Sequence, residues 1–219
     1  MLRVAVLASG RGSNLEALLE ASRQGDAGYR IVGVFSDKPQ AGALDIARAA
    51  GIPAVALAAT KGEDRAKHDA AFFARVRQVQ PDLIVCAGYM RIISADALAH
   101  LTIPMINIHP SLLPRYPGLH THARVLEASD TEHGSSVHVV TAELDAGPLL
   151  AQTRIDVRHD DTPDTLAARV LTQEHRLLPA CVRAIASRRL SVTGSAPLFD
   201  GVPLTAPLRL LESTGELTR

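Results

Sequence analysis

The sequence predicts an α/β fold built on an open, mostly parallel sheet with helices on both faces. Short β-branched runs alternate with longer amphipathic ones, the pattern of repeated strand–helix–strand units. Two of the runs, Leu83–Ala87 and Met105–His109, are almost uniformly apolar, as central strands covered on both faces must be. Hydrophobic residues make up 47% of the 219, with 3% aromatic and no Trp, so Ala, Leu, Val and Ile must fill the core. That length suits one large domain, or one domain with a small appendage.

Leu2–Ala8 reads as the first strand and Gly12–Ala21 as the helix after it. Tyr29–Ser36 is the second strand, Ala43–Ala50 a helix closed by Gly51, and Ala54–Leu57 a short third strand. Thr60-Lys61-Gly62-Glu63 has the spacing of a capping box and is expected to open a helix to about Val79. Leu83–Ala87 and Met105–His109 follow as strands, separated by a short helix from Ser94 to Leu101. Ser135–Val140 and Leu149–Val157 suggest an antiparallel pair. Thr162-Pro163 starts the last long helix, to about Arg188, because Thr caps well and Pro suits the first helical position. The expected organisation is a single domain over 1–190, with 191–219 as its hairpin and loose tail.

The 23 basic and 23 acidic residues cancel. A general polyanion binder carries an excess of Lys and Arg, so nucleic acid is not an expected partner. Cys86 and Cys181, both among apolar neighbours, read as buried thiols rather than a disulfide. The apolar start runs straight into a glycine turn, unlike a signal peptide. No run reaches the roughly 18 apolar residues of a membrane span. A cytoplasmic protein is expected.

Ser9-Gly10-Arg11-Gly12-Ser13-Asn14 joins the first strand to its helix. It offers either a phosphate seat at a helix N-terminus or a tight turn capped by Ser13 or Asn14. It is neither a Walker loop nor the dinucleotide fingerprint, whose third glycine would fall on Leu15. Asn107-Ile108-His109 ends a central strand, and Asp145 follows His109 by 36 residues. An amide, an imidazole and a carboxylate supply a donor, an acid and a base, a set suited to moving an acyl group between nitrogens. Between them, three prolines and a glycine in residues 110–118 make a stiff loop beyond a strand's C-terminal end, where open α/β sheets bind ligands. Each part has a plain alternative: His109 as a strand-end imidazole bonded to backbone, Asp145 as a turn residue.

Five of nine histidines fall between 109 and 138. The spacing of His120 and His122 is a poor match to zinc sites, and no Cys or Glu helps, so a metal is not expected. His68, His100, His159 and His175 are expected at the surface. Ser136 and His138 alternate on one strand and so share a face, suited to supporting a carboxylate.

With these residues together the chain resembles the phosphoribosylglycinamide formyltransferases, a folate-dependent formyltransferase family. The resemblance is carried by Ala8-Ser9-Gly10-x-Gly12-Ser13-Asn14-Leu15, Ala87-Gly88-Tyr89-Met90-Arg91-Ile92-Ile93 and Asn107-Ile108-His109-Pro110-Ser111-Leu112-Leu113-Pro114. It continues through Tyr116-Pro117-Gly118-Leu119-His120-Thr121-His122, Gly134-Ser135-Ser136-Val137-His138, Glu143-Leu144-Asp145-x-Gly147-Pro148 and Gln173-Glu174-His175. It implies a Rossmann-like sheet and formyl transfer from 10-formyltetrahydrofolate to the amine of glycinamide ribonucleotide in purine synthesis.

The resemblance assigns catalysis to Asn107, His109 and Asp145, and the substrate phosphate to Gly12, Ser13 and Asn14, with Glu174 on the ribose. Met90, Arg91, Ile92 and Ile93, together with Val140, Thr141, Ala142, Glu143 and Leu144, would form the folate pocket. Ser136, His138 and His120 would brace the catalytic residues. The Leu113–Pro114 peptide is expected to be cis. Leu171 stands where relatives often carry a polar residue, and Ala142 and Ala146 replace Asp and Gly. The expected protein is a monomer or weak homodimer acting on two small molecules, with no metal and no membrane.

Three relatives share pieces of the pattern: methionyl-tRNA formyltransferase, formyltetrahydrofolate hydrolase and the hydrolase part of formyltetrahydrofolate dehydrogenase. The loop sequence Tyr116-Pro117-Gly118-Leu119-His120 and the chain length separate this sequence from them. The resemblance further implies that Asp145 keeps His109 charged, giving a bell-shaped pH–rate profile that belongs to the pair. The competing readings are a nucleotide-binding regulatory module and a metal-dependent hydrolase.

Overall fold

The computed structural model describes residues 1–219 except 26, 194, 195 and 212, and forms two compact units, Met1–Asn107 and Ile108–Arg219. The expected hairpin and tail after residue 190 include residues 194, 195 and 212, which lie outside the described ones.

In the first unit five strands lie in the order β3 (Ala54–Ala56), β2 (Tyr29–Ser36), β1 (Leu2–Leu7), β4 (Leu83–Cys86) and β5 (Met105–His109), the last running on into the second unit. Every pairing is parallel; Val6 faces Val34 on one side and Val85 on the other. Val4, Val6, Leu7, Leu83, Ile84, Val85 and Ile106 are fully buried, each large apolar side chain contributing roughly 1.5–3 kcal/mol relative to exposure. From β1 the chain first adds strands on one side, through α1 (Ser13–Ser22) and α2 (Gly42–Ala49). It then returns to the other side through α3 (Arg65–Gln78) and α4 (Ala95–Ala99). Right-handed crossovers run in opposite directions place the two helix pairs on opposite faces. They also make the ends of β1 and β4 the switch point, where such sheets bind ligands.

The start of α3 differs from expectation. Glu63 does accept from the Thr60 backbone N–H at 2.9 Å, but this closes a turn. The cap is Asp64, whose carboxylate accepts from Lys67 N at 2.9 Å. His68 is also not at the surface. His68, Phe72 and Val76 recur every four residues, so they share the apolar face of α3, and His68 is fully buried.

In the second unit β6 (Glu132–Val139) and β7 (Leu149–Asp156) are antiparallel. β11 (Leu208–Leu210) adds parallel to β7, and β12 (Leu217–Thr218) antiparallel to β11. β8 (Leu190–Ser191), β9 (Leu198–Phe199) and β10 (Val202–Pro203) form a separate small antiparallel sheet. α6 (Pro163–Ala186) opens on a reciprocal Thr162–Thr165 capping box with Pro163 in its first turn, and carries Pro179 inside it. It packs on β6 and β7. α5 (Thr121–Glu127), which the hydrophobic pattern does not reveal, brings Val125 against Leu166 and Val170 of α6. Cys86 and Cys181 are buried free thiols, as expected. Among the described residues no helix is long and apolar enough to cross a membrane.

Candidate active site

The glycine turn lies at the switch point of the first unit. Gly12 itself is the N-cap of α1, at φ +93°, and no side chain caps the helix. The alternative in which Ser13 or Asn14 caps is therefore replaced by a helix start without a side-chain cap, the kind of end that suits an anion. A Cβ on Gly12 would lie 2.8 Å from Ala43 Cα and 2.9 Å from Ile46 Cδ1. Gly12→Val should thus do more than block the seat. We expect weaker binding of a phosphorylated substrate together with a loss of stability, the first read by isothermal titration and the second by thermal melting. Unchanged melting would sink the packing part of this argument.

Ser9 ties the turn to the segment after β4. Its hydroxyl donates to Asp37 Oδ1 at 2.5 Å and accepts from Met90 N at 2.9 Å. Met90 and Ile92 are exposed apolar side chains, a surface that costs free energy unless something covers it. Arg91 and Ile93 are half-buried. Behind them Asp69, also buried, accepts from Ser94 N at 2.7 Å and lies 3.5 Å from Arg91 Nε. His68 joins this anchor, with Nε2 3.1 Å from Leu57 O and Nδ1 3.5 Å from Asp69. Asn107, half-buried, stands opposite Cys86 on β5 and shares a strand face with His109 two residues on.

The second unit holds the titratable cluster. His109 and His138 are 6% and 2% exposed, at the end of β5 and near the end of β6, and Asp145 lies between them. Its Oδ2 is 3.5 Å from His109 Nδ1, and its Oδ1 is 3.6 Å from His138 Nε2. Gly118 N donates to the same Oδ2 at 2.8 Å, so the proline-rich loop grips the carboxylate directly. Asp145 has φ +51°, in the left-handed region that Asp adopts more readily than most residues. The turn around it needs Gly147, because a Cβ there would sit 1.8 Å from Val139 O.

Each imidazole spends its other nitrogen on a main-chain carbonyl. His109 Nε2 donates to Tyr116 O at 3.0 Å and His138 Nδ1 to Val139 O at 3.0 Å. A carbonyl can only accept, so those nitrogens carry hydrogen and the remaining ones point at the carboxylate. Burial pushes the Asp145 carboxyl upward. The His138 side chain, Gly118 N and the neighbouring imidazole charge more than offset it, and the group sits below the usual aspartate value. For His109 burial is the largest influence and wins over both the Tyr116 carbonyl and Asp145, holding it below the usual imidazole value. The expectation of a charged His109 is thus reversed in the free protein: desolvation outweighs a partner that stands 3.5 Å away.

Ser136 braces the loop rather than the carboxylate. Its hydroxyl donates to Ser111 O at 2.6 Å and accepts from Leu113 N at 3.0 Å and from buried Gln152 Nε2 at 2.9 Å. Gln152 also donates to Leu113 O at 2.8 Å. The Leu113–Pro114 peptide is cis, as the resemblance implies. His120 is exposed at the N-cap of α5, with φ +59°. His122 Nδ1 and His133 Nε2 bond to each other at 3.0 Å, and burial pushes His133 down to about 4. Thr141, Ala142, Glu143 and Leu144 form an exposed turn after half-buried Val140. Glu174 is 7% exposed on α6, one turn beyond half-buried Leu171. Sequence reading misses the main-chain groups of Tyr116 and Gly118, whose only signal is the stiffness of the loop.

Comparison with known proteins bears on what this arrangement serves. The family model described as formyl transferase matches residues 2–182. The chain belongs to the formyl transferase family. Within this family it is 42% identical over 200 residues to the phosphoribosylglycinamide formyltransferase of Escherichia coli K12, covering 91% of this chain and 94% of that one. The solved phosphoribosylglycinamide formyltransferase of Coxiella burnetii superposes with a TM-score of 0.87 at 41% identity, over 93% of this chain and 96% of the other. That of Brucella melitensis gives 0.80 at 44% identity, over 89% and 99%. The mixed sheet, parallel at first and antiparallel later, is the fold of these formyl transferases.

Proposed function

We propose that this chain transfers the formyl group of 10-formyltetrahydrofolate to the primary amine of glycinamide ribonucleotide, in purine synthesis. The observation that carries the reading is Asp145, gripped by Gly118 N and flanked by two imidazoles whose other nitrogens are committed to carbonyls. Such a carboxylate, with a neutral His109 beside it, has a defined place for one proton and little room for more. The N-terminus of α1 at Gly12, Ser13 and Asn14, which no side chain caps, suits the substrate's phosphate, with Glu174 on its ribose. The surfaces of Met90–Ile93 and Val140–Leu144 suit the folate.

The amine attacks the formyl carbon, forming a C–N bond while the carbonyl oxygen becomes an oxyanion. Asn107 donates to that oxygen; one such donor typically contributes about 10²–10³ in turnover. The proton leaving the amine passes through a water to Asp145 and the His109 side of the pair. It returns to the folate nitrogen as the C–N bond to the cofactor breaks. The charge balances at each step, and the acid–base work falls on the chain's own residues without a metal. The chain acts as one formyltransferase domain over 1–190 with 191–219 belonging to it, in the cytoplasm, as a monomer or weak dimer.

The test is amine-dependent release of folate from 10-formyltetrahydrofolate. Release without the amine would instead indicate hydrolysis. The pH dependence follows from the cluster. Both His109 and Asp145 are held below their usual values, so the basic form of the pair is present at neutral pH and is lost as pH falls. The acid limb of kcat/KM should therefore lie below about pH 6.5, with a midpoint that belongs to the pair. A limb centred above pH 7 in a stopped-flow profile would contradict this.

A further inference from the structure

We infer that Tyr116 is a positioning residue for His109: a clamp on its side chain holds its main-chain carbonyl on Nε2 and thereby decides which imidazole nitrogen faces Asp145. The inference rests on the function proposed above only for its effect on turnover.

Tyr116 has φ +57°, the left-handed region, which for a residue with a bulky side chain carries backbone strain and persists only where surroundings over-determine it. Its surroundings do so. The phenol hydroxyl donates to Asp130 Oδ2, and the Arg115 guanidinium reaches the same oxygen. The guanidinium carbons of Arg115 and Arg124 lie 5.4 Å and 5.3 Å from the ring centroid, within cation–π range. Arg124 Nη1 donates to Pro117 O at 2.6 Å, fixing the next peptide as well. The ring packs on the Val125, Leu166 and Val170 cluster between α5 and α6.

The product of this clamp is one hydrogen bond, His109 Nε2 to Tyr116 O at 3.0 Å. Without it the neutral ring could place its hydrogen on either nitrogen. With it the hydrogen stays on Nε2, and the Nδ1 lone pair faces Asp145 Oδ2 at 3.5 Å. A proton delivered to the pair then has a single landing place, between Nδ1 and the carboxylate. Arg124 also acts on His109 through its charge, whereas Tyr116 and Asp130 act through the carbonyl and are not catalytic residues.

The experiment compares wild type with Tyr116→Leu and with Tyr116→Phe, which keeps the ring and loses only the hydroxyl's ties, to Asp130 and Arg115. The imidazole tautomer of His109 is read from long-range ¹H–¹⁵N spectra. Steady-state kinetics give kcat and KM for both substrates, and thermal melting checks folding. Wild type should show the Nε2–H form alone. Tyr116→Leu should show a mixture of tautomers and a kcat lowered about five- to tenfold, with KM changed by less than about twofold. Tyr116→Phe should move in the same direction by less.

A folded Tyr116→Leu protein with the wild-type tautomer overturns the inference. If Tyr116→Leu does not fold, an unchanged His109 spectrum in Tyr116→Phe overturns it equally. A tautomer shift in a protein that transfers no formyl group would leave the positioning role standing and refute the proposed function alone.

Discussion

Asp145→Asn should lower turnover by about 10²–10⁴ while leaving the fold intact. The asparagine keeps the shape of the turn and an oxygen for Gly118 N, which now sits 2.8 Å from the carboxylate. What disappears is the negative charge and the ability to take a proton. The amide also presents NH₂ to one of the two imidazole nitrogens that face it at 3.5 Å and 3.6 Å, where it can donate to a lone pair but cannot take up a proton. Single-turnover rates beside melting curves separate loss of chemistry from loss of structure. Turnover within about fivefold of wild type would mean that the proton is carried by another group.

Gly147→Ala is the second large effect, and it begins as a stability effect. A Cβ at this position would lie 1.8 Å from Val139 O and 2.9 Å from its carbon, and 3.1 Å from Thr141 Cγ2. Main-chain atoms cannot step aside as a side-chain tip can, so the turn between β6 and β7 must open. Overpacking of a tight site typically costs about 1–3 kcal/mol. For a chain of this size that corresponds to a fall in melting temperature of roughly 2–12 °C. Because Asp145 is two residues away, kcat should fall with it. Melting and turnover indistinguishable from wild type would show that the turn has another conformation open to it.

Much of the frame is legible in the sequence, and the reasons differ by element. Tyr29–Ser36 and Met105–His109 coincide with β2 and β5 residue for residue, because β-branched apolar runs bounded by polar or turn residues leave little choice. The start of α3 is misread because Thr60 and Glu63 have capping spacing, but the sequence alone does not say whether that pairing opens a helix or closes a turn. Asp64, one residue on, does the capping. His68 is taken for a surface residue because residue type is weighed before position; its spacing with Phe72 and Val76 places it on the buried face. α5 hides behind the prolines that precede it.

At the site, Asn107, His109 and Asp145 stand out as residue types at strand ends. The His138 contact was foreshadowed by strand alternation, whereas Ser136, on the same face, binds the loop instead. The charge on His109 is misjudged because burial, a property of the folded chain, outweighs the partner that can be read from sequence. Tyr116 and Gly118 meet the cluster through a main-chain carbonyl and a main-chain N–H, which residue type does not announce.

His109, Tyr116, Gly118, His138 and Asp145 all come from one uninterrupted stretch of the chain, from 109 to 145. Closing a segment of that length costs only about 3 kcal/mol of chain entropy. The network of contacts about Asp145 can therefore form from this one stretch, and an insertion elsewhere in the chain leaves its loop length unchanged. On the proposed function, a new amine acceptor would be sought by changing segments outside 109–145, such as the α1 turn and α6, with that stretch left untouched.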